Sequence, residues 1–117
     1  MKYYEDFEAL QLDELQAAGS VELTTFNVNV SSDTTILRGD LLAGSSFSDT
    51  FKLATNSDTN KILCIARDNF IADSEHTVTA VFTSGNFHLN RINSSDTAVV
   101  LQNELRKQNI HLARLEG

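Results

Sequence analysis

The chain has 117 residues, a formal net charge of −7, 41% hydrophobic residues and 21% charged residues. This length predicts one domain, large enough to bury a core without disulfides or metals. The composition is typical of an ordered globular chain and not of a disordered one. The acidic balance disfavours direct binding to nucleic acid or to an anionic membrane, since both require a basic surface.

Targeting and redox features point to a protein made in a reducing cytoplasm. The sequence contains no apolar run long enough to predict a transmembrane helix. Its first ten residues, MKYYEDFEAL, lack the basic segment followed by an apolar segment that is typical of a secretory signal peptide, so we expect no signal peptide. The single cysteine, Cys64, cannot form an internal disulfide.

The sequence divides into a predicted acidic arm at residues 1 to 19 and a predicted domain at residues 20 to 117. The arm carries five acidic residues against one basic residue, Lys2. Residues 4 to 18 predict a short helix that ends at Gly19, because most of them are good helix formers. A helix this short is marginal without a packing partner, so a frayed acidic terminus is an equally open interpretation.

Strand patterning begins directly after the arm. Residues 21 to 30 alternate apolar and polar side chains, with Phe26, Val28 and Val30 on one face. This two-residue period predicts a half-buried strand. Residues 31 to 34, SSDT, predict the turn that follows.

The middle of the chain predicts further short strands. Residues 36 to 44 read as a strand pair or a strand and turn, with Gly39 marking a bulge or a close backbone approach. Residues 45 to 60 are mostly polar and predict loops around one short strand. Residues 61 to 66, KILCIA, form a continuous apolar run, which predicts a strand buried on both faces.

A hairpin is the predicted element after the polar connection at residues 67 to 76. Residues 76 to 85 and 86 to 92 each alternate apolar and polar side chains. The pair Ser84-Gly85 between them predicts the tight turn that joins the two strands.

The last predicted element is a helix over residues 97 to 108. Asp96 precedes it and can accept hydrogen bonds from the free backbone N–H groups of the first turn. Asn109 accepts the left-handed conformation that ends a helix. Ile110 then packs back onto the domain or begins a last strand.

The candidates for chemistry are weak. His76, His88 and His111 form no closely spaced pair, so we predict no metal site. Cys64 with His76 or His88 is a conceivable nucleophile and base. Its place inside KILCIA favours a buried, unreactive thiol. We therefore predict no catalytic residue, metal ligand or cofactor and expect no enzyme. A small β-barrel thiol enzyme or ligand-binding module using Cys64 is the less favoured alternative.

The tripeptide Arg38-Gly39-Asp40 matches an integrin-binding motif. Apolar residues flank it on both sides, at positions 36 and 37 and at positions 41 and 42. This flanking predicts that the tripeptide lies within a strand and not on an exposed loop tip, so we interpret it as structural.

Four segments, in order, resemble the lambda-type bacteriophage head decoration (capsid cement) family. LRGDLL at 37 to 42 is similar to the family's early strand entry, and KILCIARDNFIADSE at 61 to 75 is similar to its central segment. VTAVFTSGNFH at 78 to 88 is similar to its strand, Ser-Gly turn and Phe. LQNELRKQNIHL at 101 to 112 is similar to the C-terminal ending of prophage members. The positions that match the family motifs are Arg38, Gly39, Leu42, Ile65, Gly85, Phe87, Leu105, Arg106 and Ile110.

The sequence departs from the family at two of these segments and in its arm. Cys64 stands where the family often has Gly, and Asn109 replaces the usual Gly after the helix. The acidic arm at residues 1 to 18 has no counterpart among the matched segments.

The resemblance implies a mainly β domain of the β-clip or β-tulip kind with a short C-terminal helix. It also implies a homotrimer on three-fold sites of an expanded phage or prophage capsid, where it stabilises the shell. The protein would be made in the host bacterial cytoplasm and would lie on the exterior of the virion.

The partner implied is the major capsid protein, contacted largely through the N-terminal arm, with no nucleic acid and no membrane. Another phage structural role, in head completion or in the tail, is the alternative within this class. The capsid-contact residues expected on this basis are Tyr3, Tyr4, Phe7, Leu10, Val21, Leu23 and Phe26.

Overall fold

The computed structural model describes residues 15 to 17 and 19 to 113. The described chain is mainly β, which confirms the expected fold class at that level. Its strands are β1 (Thr24–Val30), β2 (Thr35–Ile36), β3 (Leu41–Gly44), β4 (Thr50–Leu53), β5 (Ile62–Ala66), β6 (Phe70–Ile71), β7 (Val78–His88) and β8 (Ile110–Ala113). A 3-10 turn (Leu89–Arg91) and two short helices, α1 (Ser95–Val100) and α2 (Gln102–Lys107), connect β7 to β8.

Five of the strands close into a small barrel. The order is β1-β4-β3-β5-β7, and the barrel closes because β7 also pairs antiparallel with β1. The strand β8 adds in parallel to the last four residues of β7, outside the barrel. The strands β2 and β6 pair with each other as a separate two-stranded sheet.

The strands β3 and β5 are buried on both faces, and for β5 this confirms the prediction from the run KILCIA. Leu42 and Cys64 belong to the cluster that fills the barrel. Leu41, Leu63 and Ile65 belong to a second cluster that includes residues of both helices. Because successive side chains of a strand point to opposite faces, each strand contributes to both clusters, which explains the lack of polar alternation.

The predicted hairpin at Ser84-Gly85 is wrong, because residues 78 to 88 form one continuous strand. The first half of β7 pairs with β1 and β5, and the second half pairs with β8. Gly85 has φ +142°, and a Cβ at this position would lie 2.8 Å from Leu23 Cδ1. The glycine therefore permits the close approach of Leu23 to β7. The second half of β7 pairs with β8 and not with a return strand of a hairpin.

The predicted helix at residues 97 to 108 is confirmed as helical over most of its length, but the prediction that it is a single helix is wrong. The helices α1 and α2 are separated at Leu101, which has φ −93° and ψ 12°. Asp96 lies in the first turn of α1, and the N-cap is Ser94. Val99 and Val100 are β-branched and therefore weaken helix propensity next to the break. The predicted left-handed end is confirmed, since Asn109 has φ 63° and Ile110 begins β8.

The predicted helix at residues 4 to 18 falls mostly outside the described residues. Its described part, Leu15 to Ala17, is extended and not helical, because it pairs with the free edge of β7. The His88 N–H donates to the Leu15 carbonyl at 2.9 Å, and the Ala17 N–H donates to the Asn86 carbonyl at 2.8 Å. Leu15 is only 2% exposed, so these residues pack as part of the domain.

The tripeptide Arg38-Gly39-Asp40 lies in the turn between β2 and β3, which corrects the prediction that it lies within a strand. The turn requires Gly39, which has φ +92°. Asp40 is only 8% exposed, and its carboxylate accepts hydrogen bonds from Leu37 N–H and Asn93 Nδ2, both at 2.8 Å. The carboxylate therefore stabilises the turn instead of facing solvent.

Candidate docking surface

Two exposed aromatic side chains lie together beside the barrel. Phe26 on β1 is 51% exposed, and Phe47 in the loop between β3 and β4 is 41% exposed. Their ring centroids are 4.8 Å apart. Phe51, which is fully buried, lies 6.2 Å from Phe47 by the same measure. We call Phe26 and Phe47 the aromatic patch, and Phe51 connects this patch to the barrel core.

The exposure of Phe26 follows from how β1 is paired. Phe26 alternates with Val28 and Val30, which are buried in the barrel. The strand β4 pairs with β1 at Asn29 and Val30, so its pairing stops short of Phe26. The same face that is buried at the end of β1 is therefore uncovered near its beginning.

The first half of β1 also has an unpaired backbone edge. The strand β7 pairs with β1 from Thr24 to Asn29, while β4 pairs on the other side at Asn29 and Val30. Within the described part of the chain, no strand pairs with that second side between Thr24 and Asn27. We call this segment the open edge. Unpaired N–H and C=O groups of this kind can accept an added strand from another chain.

Side-chain hydrogen bonds hold the entry into β1 in place. Thr24 Oγ1 lies 2.7 Å from Ser84 Oγ, which donates to the Glu22 carbonyl at 2.6 Å. Asn86 Nδ2 donates to the Val21 carbonyl at 3.2 Å. These bonds fix the open edge against β7, so a docking partner would meet a pre-organised strand, which lowers the entropy cost of binding.

The structure describes three of the predicted contact residues. Leu23 is 42% exposed and Phe26 is 51% exposed, whereas Val21 is half-buried. The remaining predicted contact residues lie outside the described residues: Tyr3, Tyr4, Phe7 and Leu10. Phe47 was not among the predicted contact residues, although a Phe in a loop of Ser and Asp was a usable signal.

The positions matched to the decoration family are mostly structural. Arg38 and Gly39 form the turn before β3, and Arg106 is exposed on α2. The guanidinium of Arg38 lies 5.7 Å from the centre of the Phe82 ring and donates to the Arg67 carbonyl. The other matched positions are buried: Leu42, Ile65, Gly85, Phe87, Leu105 and Ile110.

The thiol and the histidines do not assemble a reactive group in the described chain. Cys64 is fully buried, and this burial raises the pKa of its thiol to about 12. His76 is exposed and lies 3.0 Å from Asp73 Oδ1. A hydrogen bond from the Glu75 backbone N–H, followed by bonds from His76, lowers the pKa of Asp73. His88 and His111 lie on the paired strands β7 and β8.

The described residues offer few other candidates for a site. Over residues 15 to 17 and 19 to 113, no group of three or more His, Cys, Asp or Glu side chains could hold a metal ion. No helix in the same ranges is long and apolar enough to cross a membrane. A cleft of about 490 Å³ beside β4 is lined by charges of both signs, Lys52 and Lys61 with Asp49 and Asp58.

No family model matches this chain, and comparison with curated proteins finds no matching sequence.

Proposed function

We propose that this protein is a structural component of a phage or prophage head, a decoration protein that docks on the expanded capsid. In this proposal it binds at three-fold sites as a homotrimer, contacts the major capsid protein and performs no chemistry. The β-clip or β-tulip kind of fold is part of the same proposal. It rests on the four sequence segments that resemble the decoration family in order. The observation that carries the docking role is the open edge of β1 beside the aromatic patch.

The open edge and the aromatic patch support docking by strand addition. An extended segment of the partner would hydrogen-bond to the backbone between Thr24 and Asn27. Its apolar side chains would cover Phe26 and Phe47. Backbone bonds supply affinity in this mode, while the pockets for side chains supply specificity.

The expected strength of one such contact is modest. Each backbone hydrogen bond contributes about 0.5–1.5 kcal/mol net. Covering the exposed parts of two aromatic rings adds about 25 cal/mol for each Å² of apolar surface removed from water. Repetition around a three-fold axis and over a whole shell would convert these contacts into tight attachment.

The acidic charge supports a place on the exterior of the shell. A net charge of −7 disfavours contact with packaged DNA. It also favours a docking site on the partner that is neutral or basic, because like charges across an interface oppose association.

The test is binding to expanded empty shells made from the major capsid protein encoded beside this gene. We expect saturable co-sedimentation and added density at the three-fold sites in electron microscopy. Failure to bind these shells would overturn the proposal. Density confined to a portal vertex or to the tail would instead assign the head-completion or tail role.

A further inference from the structure

A cleft with two arginines opens where the described chain begins. Its volume is about 360 Å³, and it is lined by Leu15, Arg38, Asn69, Arg91 and Asn93. The described lining residues include two guanidinium groups and two amides and no carboxylate. We call this site the arginine cleft. Its chemistry fits a carboxylate ligand, since guanidinium groups are suited to carboxylates.

Arg38 is held in position by contacts on several sides. Its guanidinium lies over the Phe82 ring and donates to the Arg67 carbonyl. Its backbone N–H donates to Asn69 Oδ1 at 2.8 Å, and its carbonyl accepts from Asn93 Nδ2 at 2.9 Å. Because both the backbone and the guanidinium of Arg38 are held, the residue loses little conformational freedom when it binds a second group.

Arg91 approaches the cleft from a different element. It is the last residue of the 3-10 turn that follows β7, and it is exposed. Asn93, two residues further on, donates to the Asp40 carboxylate at 2.8 Å and ties this segment to the turn that holds Arg38. The two arginines therefore belong to segments that are joined by a hydrogen bond.

The sequence directly before the cleft residue Leu15 is acidic. Leu15 forms part of the cleft wall and is 2% exposed, and its carbonyl accepts a hydrogen bond from the His88 N–H. Asp13 and Glu14 directly precede Leu15 in the sequence, and one residue spans at most about 3.6 Å, so the chain tethers both to the cleft wall. Residues 1 to 14 carry five acidic residues and one basic residue.

We propose that the acidic segment of residues 1 to 14 docks on the arginine cleft of its own chain, with Asp13 and Glu14 paired to Arg38 and Arg91. The pairing sets the direction in which the rest of the segment leaves the domain. This inference goes beyond the capsid role and does not depend on it, because it concerns two parts of one chain.

The expected energetics make this docking reversible. An exposed ion pair shifts an equilibrium by about 1.5- to 5-fold. Several pairs act together here, and their effect falls as salt shortens the screening length to about 3 Å at 1 M. The segment should therefore be held at low salt and released at high salt, without any change in the folded domain.

The tyrosines provide a reporter that requires no label. The sequence has two tyrosines, Tyr3 and Tyr4, and no tryptophan. Tyrosine emission therefore reports on the acidic segment alone. The full chain would be measured at low salt by tyrosine anisotropy and by acrylamide quenching, with Arg91→Glu, Glu14→Arg and the double charge reversal as variants.

The proposal predicts that each single variant lowers anisotropy and increases quenching, with a loss of about two- to five-fold in the ratio of docked to free segment. The double reversal should restore both signals, and 1 M salt should remove the difference between wild type and variants. Glu14→Arg alters no residue of the described domain, so it tests the pairing even if Arg91→Glu fails to fold.

Arg106→Glu is the matched control, since Arg106 is an exposed arginine on α2 and the charge change is the same. It should leave both signals unchanged. Equal effects of Arg106→Glu and Arg91→Glu, or no effect of Glu14→Arg, would overturn the proposal. Recovery of both signals on mixing Glu14→Arg protein with Arg91→Glu protein would overturn it too, because the occupant would then be the segment of a second copy.

Discussion

Phe26 and Phe47 lie with their ring centroids 4.8 Å apart, although about half of the Phe26 side chain is exposed to solvent. Tilted ring pairs at this spacing contribute about 0.5–1.5 kcal/mol beyond their area burial. The contact therefore orders the loop before β4 against the beginning of β1. It also leaves apolar surface uncovered next to an unpaired strand edge.

Phe26→Ser should weaken docking on the expanded shell at least ~10-fold, because a truncated central aromatic side chain commonly costs ~2 kcal/mol or more at an interface. The free domain should lose about 1–2 kcal/mol, since half of the side chain is buried and the contact with Phe47 is lost. Co-sedimentation and urea unfolding measure the two effects. Ile71→Ser is the control, since Ile71 is 75% exposed on the separate β2-β6 sheet. Equal losses of binding in both variants would remove the role of the patch.

Leu15→Ala should destabilise the domain by about 2–5 kcal/mol, the usual cost of truncating a buried leucine. The reason is that Leu15 is 2% exposed and belongs to the cluster beneath the helices. Chemical denaturation of the purified variant measures this loss. Leu53→Ala, at a position that is 50% exposed, should cost much less. If the two variants had the same stability, Leu15 would not be part of the folded domain.

Stability should fall at high pH through Cys64. Burial raises the pKa of its thiol from 9.0 to about 12. The folded protein then holds this proton more tightly than the unfolded chain, so the contribution is complete below pH 9.0 and is lost as the pH rises towards about 12. Urea unfolding over this range should show a steeper decline for wild type than for Cys64→Ala.

Alkylation provides a separate check on the same thiol. Native protein should react slowly near neutral pH, and protein unfolded in urea should react quickly, because the thiolate is the reactive form. Rapid alkylation of the native protein would contradict the burial of Cys64. It would also revive the thiol-enzyme alternative.

Gly85→Ala should destabilise the domain by about 1–3 kcal/mol, because Gly85 has φ +142° and an added Cβ would lie 2.8 Å from Leu23 Cδ1. Thermal unfolding measures the loss. Adding Leu23→Ala removes the closest of the clashing atoms and should recover part of the stability, while the contact with the Phe87 ring at 3.1 Å and the backbone strain remain. A Gly85→Ala protein as stable as wild type would show that β7 can relax at this point.

Features with a local cause could be predicted from the sequence. The run KILCIA indicated a doubly buried strand because its apolar content leaves no solvent face, and β5 confirms it. Asn109 indicated the end of the helical region because few other residues accept positive φ, and its φ is 63°. The mainly β class followed from several such short patterns.

Features that depend on a distant partner could not be predicted in the same way. Ser84-Gly85 has the composition of a hairpin turn, but β8 pairs with the second half of β7, and the strand continues through this point. The helix is broken at Leu101, which is fully buried. Packing of this side chain depends on distant residues, so helix propensity does not predict the break.

Some features of the candidate docking surface follow from neighbouring residues, and others follow from distant contacts. The sequence by itself determined that Leu23 and Phe26 stand at the start of a strand after an acidic segment, because alternation and charge are properties of neighbouring residues. Only the tertiary structure decided that β4 stops short of Phe26, that Phe47 packs against it, and that Leu15 lies beside Arg38 and Arg91. Barrel closure sets these relationships, since it fixes which strand edges remain unpaired and which distant side chains meet.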